Sequence, residues 1–475
     1  MQTASCIGSF DVCVVGGGPA GSVAALKLAR MGHRVCVVEQ SPFPRFHVGE
    51  SLSPGIWPIL DVMDLAQAVQ GLNIIRRNVA FIRWATGDVE RIRSTDKFGN
   101  TLIDRGVFDE LLLDRARNEG VTVFQPARAF NVCFDDGGGT VDLAVAGKKV
   151  ACIAASYLID ASGRGKGLGG RVVRLSPKTI AICGHFDRGP LDNAALLEAI
   201  SDGWCWGAPV PGGLFSAMIF VDPSSIRASS LRPETFFRTR LSDTRLFGAF
   251  GDLPLVRRVF GRDASIFRTA EPETSRVLRA GEAAYTVDPL SSSGVERALR
   301  SGLDSAIVVH TMLARPERTP SCVQYYFDRL HEAIQSHSQW SADFYGEVTR
   351  FAAMPFWRAR STPKPPVLRS SEIAQLPPSF DVSAGLPLTL SDDIQFVETP
   401  CVMGNEIEMR MAAKSAIMDR PVVFVGGMEL APLLNSIHGS ISAEEICKLF
   451  RGQNSNANAG GTLRWLVRNK FLSAA

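Results

Sequence analysis

The chain has ten cysteines but no C-x-x-C pair; they stand at 6, 13, 36, 133, 152, 183, 205, 322, 401 and 447. That scatter speaks against a disulfide framework or a zinc site. Several fall in apolar strands, so they read as reduced core residues of a cytosolic protein. The seven histidines are equally dispersed and leave no metal-ligand cluster. No run of about 18 apolar residues offers a membrane span. The opening MQTASCIGSFD lacks the basic start and long apolar stretch of a secretory signal, and a cytoplasmic location is expected. Formal net charge is only +3 and no long basic run is present, so neither nucleic acid nor membrane is expected as a partner. No internal repeat is visible.

What is present begins at Asp11–Gln40, DVCVVGGGPAGSVAALKLARMGHRVCVVEQ. It reads as a buried strand, a glycine turn, a helix and a second strand ending in an acid. Gly16, Gly18 and Gly21 are the glycines of a G-x-G-x-x-G. The first permits the tight turn, the second lets backbone approach a pyrophosphate, and the third lets helix and strand pack closely. The helix N-terminus offers free N–H groups to phosphate. Glu39 stands where an acid accepts from a ribose hydroxyl. A lone G-x-G-x-x-G is weak, but strand, helix and acid all stand at the correct distances here, so a dinucleotide site is expected.

A length of 475 residues suggests about three domains, and a hydrophobic content of 45% suffices for a large core. A Pro/Gly/Ser-rich loop covers 41–55, and a helix-like segment covers 56–69. Residues 78–93 alternate and read as a hairpin. A helix is expected over 107–119, a strand over 121–124, and strands over 140–145 and 150–153 around Gly147. Residues 156–170 run from a strand into a second glycine turn. A strand-rich region spans 173–272, a turn and helix 279–302, and a helix pair 319–351. The linker-like STPKPPVLRSS (361–371) precedes a small unit with strand-like stretches at 397–403 and 407–411. Helical stretches then follow at 421–437, 443–450 and 462–469. Ser442, with Glu445 three residues on, reads as a capping box.

Six segments in fixed order carry a family resemblance: GGGPAG, PRFHVGES (44–51), LIDRGVFDELLLDRA (102–116), LIDASGR (158–164), WCWGAP (204–209) and GEAAYTVDPLSSSGVERALRSG (281–302). Over about residues 9–350 the chain resembles the single-Rossmann flavoprotein monooxygenases, in the branch that holds flavin-dependent halogenases and geranylgeranyl-reductase-like proteins. The resemblance implies an α/β fold: a Rossmann-type, glutathione-reductase-like FAD-binding domain (9–75, 100–170, 276–318). It is interleaved with a β-sheet substrate domain (76–99, 171–275, 319–360). A small α+β, winged-helix-like domain (372–475) follows the linker.

The resemblance further implies that Gly16, Gly18, Pro19, Ala20, Gly21, Glu39 and Gln40 hold the ADP half of FAD. Arg45, Gly49, Glu50 and Ser51 would lie along the flavin, and Arg105 would contact it. Gly281 and Glu282 match the second flavin motif, with Glu in place of the usual Asp. Pro289, Gly294 and Val295 match the segment at the isoalloxazine ring, where a helix N-terminus stabilises negative charge. NADH or NADPH would visit as transient reductant, and a separate reductase is the alternative. Trp204, Trp206 and Pro209 are the expected substrate-pocket residues; the plainer reading is that the two tryptophans fill core. No group stands out as general acid or base, and Glu50 and His47 are the candidates.

Two departures bear on activity. Tryptophan halogenases carry a lysine where this chain has Ala80, and a glutamate where it has Ser291. The resemblance therefore implies hydroxylation of an aromatic ring through a flavin C4a-hydroperoxide. The C-terminal unit weakly resembles peptide-binding domains of peptide-modification systems; a stabilising appendage or dimer contact is the alternative. Together these features resemble the flavoproteins that mature tryptophan-derived quinone cofactors. That implies a peptidyl tryptophan in a protein or peptide partner, with another maturation enzyme as a further partner. A small-molecule aromatic hydroxylase or halogenase, an isoprenoid saturase and a non-catalytic flavoprotein assembly factor are the competing readings.

Overall fold

The strand Ser9–Val15 is buried over its last four residues, as a strand covered on both faces must be. In the computed structural model, which describes residues 6–93, 100–164, 168–187, 194–361, 387–454 and 458–474, it pairs in parallel with Val35–Val38 and with Lys148–Asp160. Thr122–Phe124 and Val277–Arg279 extend the parallel part of the sheet. The carboxyl ends of these strands therefore bring Gly16, Glu39, Ala161 and Ala280 to one edge, where doubly wound sheets place their ligands. The first half of Lys148–Asp160 pairs antiparallel with Gly138–Val145, which pairs in turn with Arg128–Asp135.

A second sheet runs, in spatial order, Phe260–Asp263, Ile180–Asp187, Leu214–Val221, Gly203–Val210, Ala195–Ile200, Val79–Arg83, Glu90–Arg93. Alternation gives its two faces different neighbours. Ile182, Cys205, Phe215 and Ile219 pack with Phe236, Phe237 and Leu241 of the helix Pro233–Ser242. Ala181, Cys183, Trp204, Met218 and Phe220 face the other way, among Trp84, Tyr345 and Trp357. Glu198 lies in the middle strands, wholly buried. Its carboxylate accepts from Arg83 Nη1 (2.7 Å) and from the backbone N–H groups of Arg245 (3.0 Å) and Leu246 (2.7 Å).

The chain divides into two compact units, residues 1–313 with 326–362, and 314–325 with 363–475. The second unit is α+β. Pro387–Leu390 pairs antiparallel with Leu472–Ala474 and Ile441–Ser442, and Gln395–Met403 forms a hairpin with Glu406–Lys414. Ile446, Phe450, Leu463, Leu466 and Phe471 build its core. Ser442 caps the helix Ala443–Gln453 in a reciprocal capping box with Glu445.

Several sequence expectations differ in detail. Residues 319–346 form one 28-residue helix, Thr319–Gly346, not a pair; neither Gly nor Pro interrupts 321–345. Within 421–437 only Leu430–Asn435 is helical. Gly426 and Gly427, both at positive φ (56° and 78°), turn the chain between two short strands instead. The helix Pro233–Ser242 interrupts the strand-rich region, with Pro233 at its first position. Cys6 and Cys133 are exposed rather than core, although all ten cysteines are free. The expected linker, beyond Ser361, lies outside the described residues. Among the described residues no helix is long and apolar enough to cross a membrane.

Glu198 ties the hairpin Val79–Arg93 to the loop before Phe247 through a buried charge. Replacing it (Glu198→Ala) leaves Arg83 Nη1 and the backbone N–H groups of Arg245 and Leu246 without this acceptor. The expected loss is about 3 kcal/mol of unfolding free energy, read by urea denaturation against Arg83→Ala and the double variant.

Candidate functional site

The glycine turn is built by close approach. Gly16 has φ +106°, and a Cβ there would lie 2.3 Å from the Ala161 carbonyl oxygen. A Cβ on Gly21 would lie 1.9 Å from the Gly16 carbonyl oxygen. Gly18 differs, since a Cβ there would meet only Arg45 Nη2, at 3.7 Å. Its open side faces a cavity of about 700 Å³. Gly18 is also the N-cap of the helix Pro19–Arg30, and its side-chain-free cap leaves the first N–H groups unsatisfied by any side chain. Space, open backbone and helix polarity together fit the pyrophosphate of a dinucleotide.

Charge is arranged around this turn in ion pairs, some buried and some half-buried. Glu39, almost fully buried, accepts from the backbone N–H groups of Gly17 and Ser41 (2.8 Å each) and from Arg45 Nη1 (3.1 Å). Arg105 forks onto Asp109 at 3.0 and 3.1 Å, and Arg45 approaches the same carboxylate at 3.9 Å. Glu282 meets Arg164 Nη2 at 2.8 Å. Burial alone would raise the Glu282 pKa, but the Arg164 guanidinium overrides it and holds the carboxyl below its ordinary range. The 3-10 turn Pro289–Ser291 leads to Gly294, which opens a 21-residue helix at the cavity wall.

Of the residues singled out from sequence, Gly16, Gly18, Pro19, Ala20, Glu39, Gln40, Arg45, His47, Gly49, Glu50, Ser51, Arg105, Trp204, Trp206, Gly281, Glu282, Pro289, Gly294 and Val295 line this one cavity. Gly21 lies beneath it, in the helix–turn contact. Pro209 does not line it. Strand period accounts for that: Trp204 and Trp206 share a face, and Pro209, at odd spacing from them, does not. Trp204 is packed as core and also meets the cavity. It is 1% exposed and stacks on Phe220 at 3.7 Å between centroids, yet its edge forms cavity wall.

Other lining residues were not anticipated: Phe46, Ser162, Arg164, Ala181, Cys183, Met218, Phe220, Arg262 and Asp263. Alternation in TIAICGHFD and LFSAMIFVD carried the signal for Ala181, Cys183, Met218 and Phe220, and LIDASGR carried it for Arg164. The Asp288 network had no local signal. Trp204 Nε1 donates to the Tyr345 hydroxyl (3.0 Å), which donates to Asp288 Oδ2 (3.0 Å). Asp288 Oδ1 accepts from the Leu290 N–H (3.0 Å), and the Asp288 N–H donates to His337 Nε2 (2.7 Å). Desolvation pushes the Asp288 pKa up to about 6 and the His337 pKa down to about 4.

Two groups can handle protons at the cavity wall. His47 Nδ1 lies 2.7 Å from the Val48 carbonyl. Desolvation, then the Arg105 charge, lower its pKa although the residue reaches solvent, so the ring is neutral near pH 7. Glu50 is buried, with Oε2 accepting from the Gly49 N–H (2.9 Å) and Oε1 3.7 Å from His185 Nε2. His185, on the same strand face as Ala181 and Cys183, was not anticipated. Among the described residues no cluster of His, Cys, Asp and Glu could hold a metal ion.

Comparison with known proteins follows the same outline. Residues 11–168 match the family profile described as FAD dependent oxidoreductase. A tryptophan 2-halogenase of Chondromyces crocatus is 28% identical over 388 residues, which cover 74% of this chain and 70% of that protein. Against flavin-dependent halogenases of Armillaria mellea the chain spans 64% to 67% of the relative's length. Among solved structures, the flavin-dependent halogenase CmlS superposes with a TM-score of 0.78 at 22% identity, over 98% of this chain and 96% of that one. The peptidyl tryptophan dihydroxylase QhpG, described as essential for tryptophylquinone cofactor biogenesis, superposes with a TM-score of 0.71. Its identity is 24%, over 97% and 99% of the two chains.

Gly16→Ala is expected to purify without the yellow flavin absorbance band, because a methyl group collides with the Ala161 carbonyl at a φ that disfavours it. Flavin content per chain is the measurement. Asp288 generates a pH dependence. The folded carboxyl keeps its proton to about pH 6, whereas the ordinary value is 3.8. The folded state therefore binds that proton more tightly, and stability falls as pH rises from about 4 to about 6. Asp288→Asn is expected to flatten that fall, read as melting temperature across the range.

Proposed function

Starting from an FAD-dependent oxidoreductase of the monooxygenase type with flavin-dependent halogenases among its homologues, we propose that the chain oxidatively substitutes an aromatic ring. The new bond is carbon–halogen in the reading that the relatives favour. One observation carries the proposal. The cavity that begins at the dinucleotide turn continues without a break to a wall of Trp204, Trp206, Met218 and Phe220. Aromatic and thioether walls of this kind hold a flat apolar ring by edge and face contacts.

Bound FAD supplies the redox chemistry with oxygen; NADH or NADPH is the proposed reductant. The chain's own groups do the rest. Gly18 and the first turn of Pro19–Arg30 hold the pyrophosphate, and the Arg164–Glu282 pair fixes the second flavin segment. Trp204 and Phe220 exclude water from the wall they form. Ring substitution releases one proton. Glu50 Oε1, whose sister oxygen is occupied by the Gly49 N–H, is the carboxylate oxygen placed to take it, with His185 Nε2 behind.

A second reading, hydroxylation of a peptide-borne tryptophan, is favoured by one specific observation. No lysine lines the cavity among the described residues, and Ala80 lies outside the lining, opposite Ala195 in the second sheet. The whole-length likeness to a peptidyl tryptophan dihydroxylase supports it further. In that reading the partner is a protein or peptide, met with the help of the C-terminal unit.

One experiment separates the two. The reduced holoenzyme is given labelled oxygen and bromide, with free tryptophan, indole or a tryptophan-containing peptide, and products are weighed by mass spectrometry. Catalytic bromination establishes the first reading. Gain of labelled oxygen on the peptide with no bromine establishes the second. Hydrogen peroxide as the only product, with every substrate, overturns both.

A further inference from the structure

The cavity opens to solvent where Phe46 and Arg262 form its rim. Phe46 lines the cavity yet is 49% exposed. Arg262 lines it and is exposed as well. The Arg257 guanidinium lies 4.7 Å over the Phe46 ring, and Arg262 lies 4.9 Å over Phe260. Arg258, next to Arg257 in the chain, is exposed too. None of these three arginines has a carboxylate partner among the described residues. Asp263, the one acid in the stretch LVRRVFGRD, is otherwise engaged. It accepts from the Ser265 N–H at 2.9 Å, and Arg164 and Lys178 offset its charge. The rim is therefore a cationic collar with aromatic floor, in a chain whose net charge is only +3.

The collar stands on a sheet edge. Phe260–Asp263 is the last strand of the second sheet, and among the described residues no strand pairs on its outer side. The Ala264 N–H donates to the Thr179 carbonyl at 2.8 Å. Antiparallel alternation then turns the backbone groups of Gly261 and Asp263 outward. The Gly261 carbonyl is held by its neighbour's side chain, Arg262 Nη1 at 3.1 Å, and the Asp263 carbonyl accepts from Arg164 Nη1, so the outward groups left open are the Gly261 and Asp263 N–H donors. Outward N–H donors on an unpaired edge take the carbonyls of an extended peptide.

We infer that this rim docks an acidic, extended peptide segment, laid along Phe260–Asp263 with its carboxylates on Arg257, Arg258 and Arg262 and one aromatic side chain turned into the cavity. The inference rests on the reading that the cavity takes an aromatic ring. Charge complementarity selects the acidic partner and speeds its approach, and the backbone edge selects a polypeptide over a free dinucleotide.

The test uses the FAD-loaded full chain and fluorescein-labelled pentapeptides, read by anisotropy. The probes are Glu-Glu-Trp-Glu-Glu, its lysine counterpart, and the acidic peptide with N-methylated amides. The acidic peptide is expected to bind, more weakly as salt rises, and the other two to bind at least about tenfold more weakly. The double variant Arg257→Glu/Arg258→Glu is expected to keep its flavin and to reverse the preference toward the lysine peptide. Equal binding of acidic and basic peptides, or no effect of the double variant, overturns the inference. So does loss of NADPH binding in the double variant without peptide binding by the parent chain, which would make the collar a dinucleotide site. Binding is read without turnover, so failure of the proposed reaction leaves this result standing or falling by itself.

Discussion

The contact on which the flavin end of this molecule depends is a backbone one. The helix Pro19–Arg30 approaches the preceding turn so closely that a methyl on Gly21 would lie 1.9 Å from the Gly16 carbonyl oxygen. That approach sets the helix N-terminus against the strand end. It also leaves Gly18 as the one glycine of the three with open space beside it. Gly281 repeats the device from the far side, where a Cβ would lie 2.9 Å from Ala20 Cβ, and Gly302 brings the following helix onto the Ala20 backbone. Cofactor space here is what remains when backbones touch everywhere around it.

The second sheet contributes by parity rather than by contact. One face of its strands feeds a phenylalanine-rich core under the helix Pro233–Ser242, and the other forms the aromatic cavity wall. A shift of one residue in Gly203–Val210 would exchange Cys205 for Trp204 and take both tryptophans from the wall. The buried carboxylate of Glu198, satisfied by Arg83 and two backbone N–H groups, helps to hold that register.

Much of this was legible in the sequence, for identifiable reasons. The glycine turn, Glu39 and the loop 45–51 are local motifs whose chemistry depends on residue type and spacing, and they fall together in space. Trp204 and Trp206 were legible through period two, which also explains why Pro209 falls elsewhere. The helix Thr319–Gly346 was legible as helical but not as continuous, since uninterrupted length is signalled only by the absence of breakers. Pairings such as Glu50 with His185, or Tyr345 with Asp288 across 57 positions, carry no local signature. They depend on which strand lies beside which helix, and a single sequence does not state that.

The chain Trp204–Tyr345–Asp288 has a consequence for how this protein can diverge. Each member's polar atom is committed to the next in a buried setting, and Asp288 also caps the turn that leads to Gly294. A change at any one strands the others, so the three are expected to be inherited as a block. Ala181, Cys183 and Met218 line the same cavity without side-chain hydrogen bonds among the described contacts. Lineages that acquire new substrates have an open route through those three positions, and drift of the cavity's shape should be recorded there.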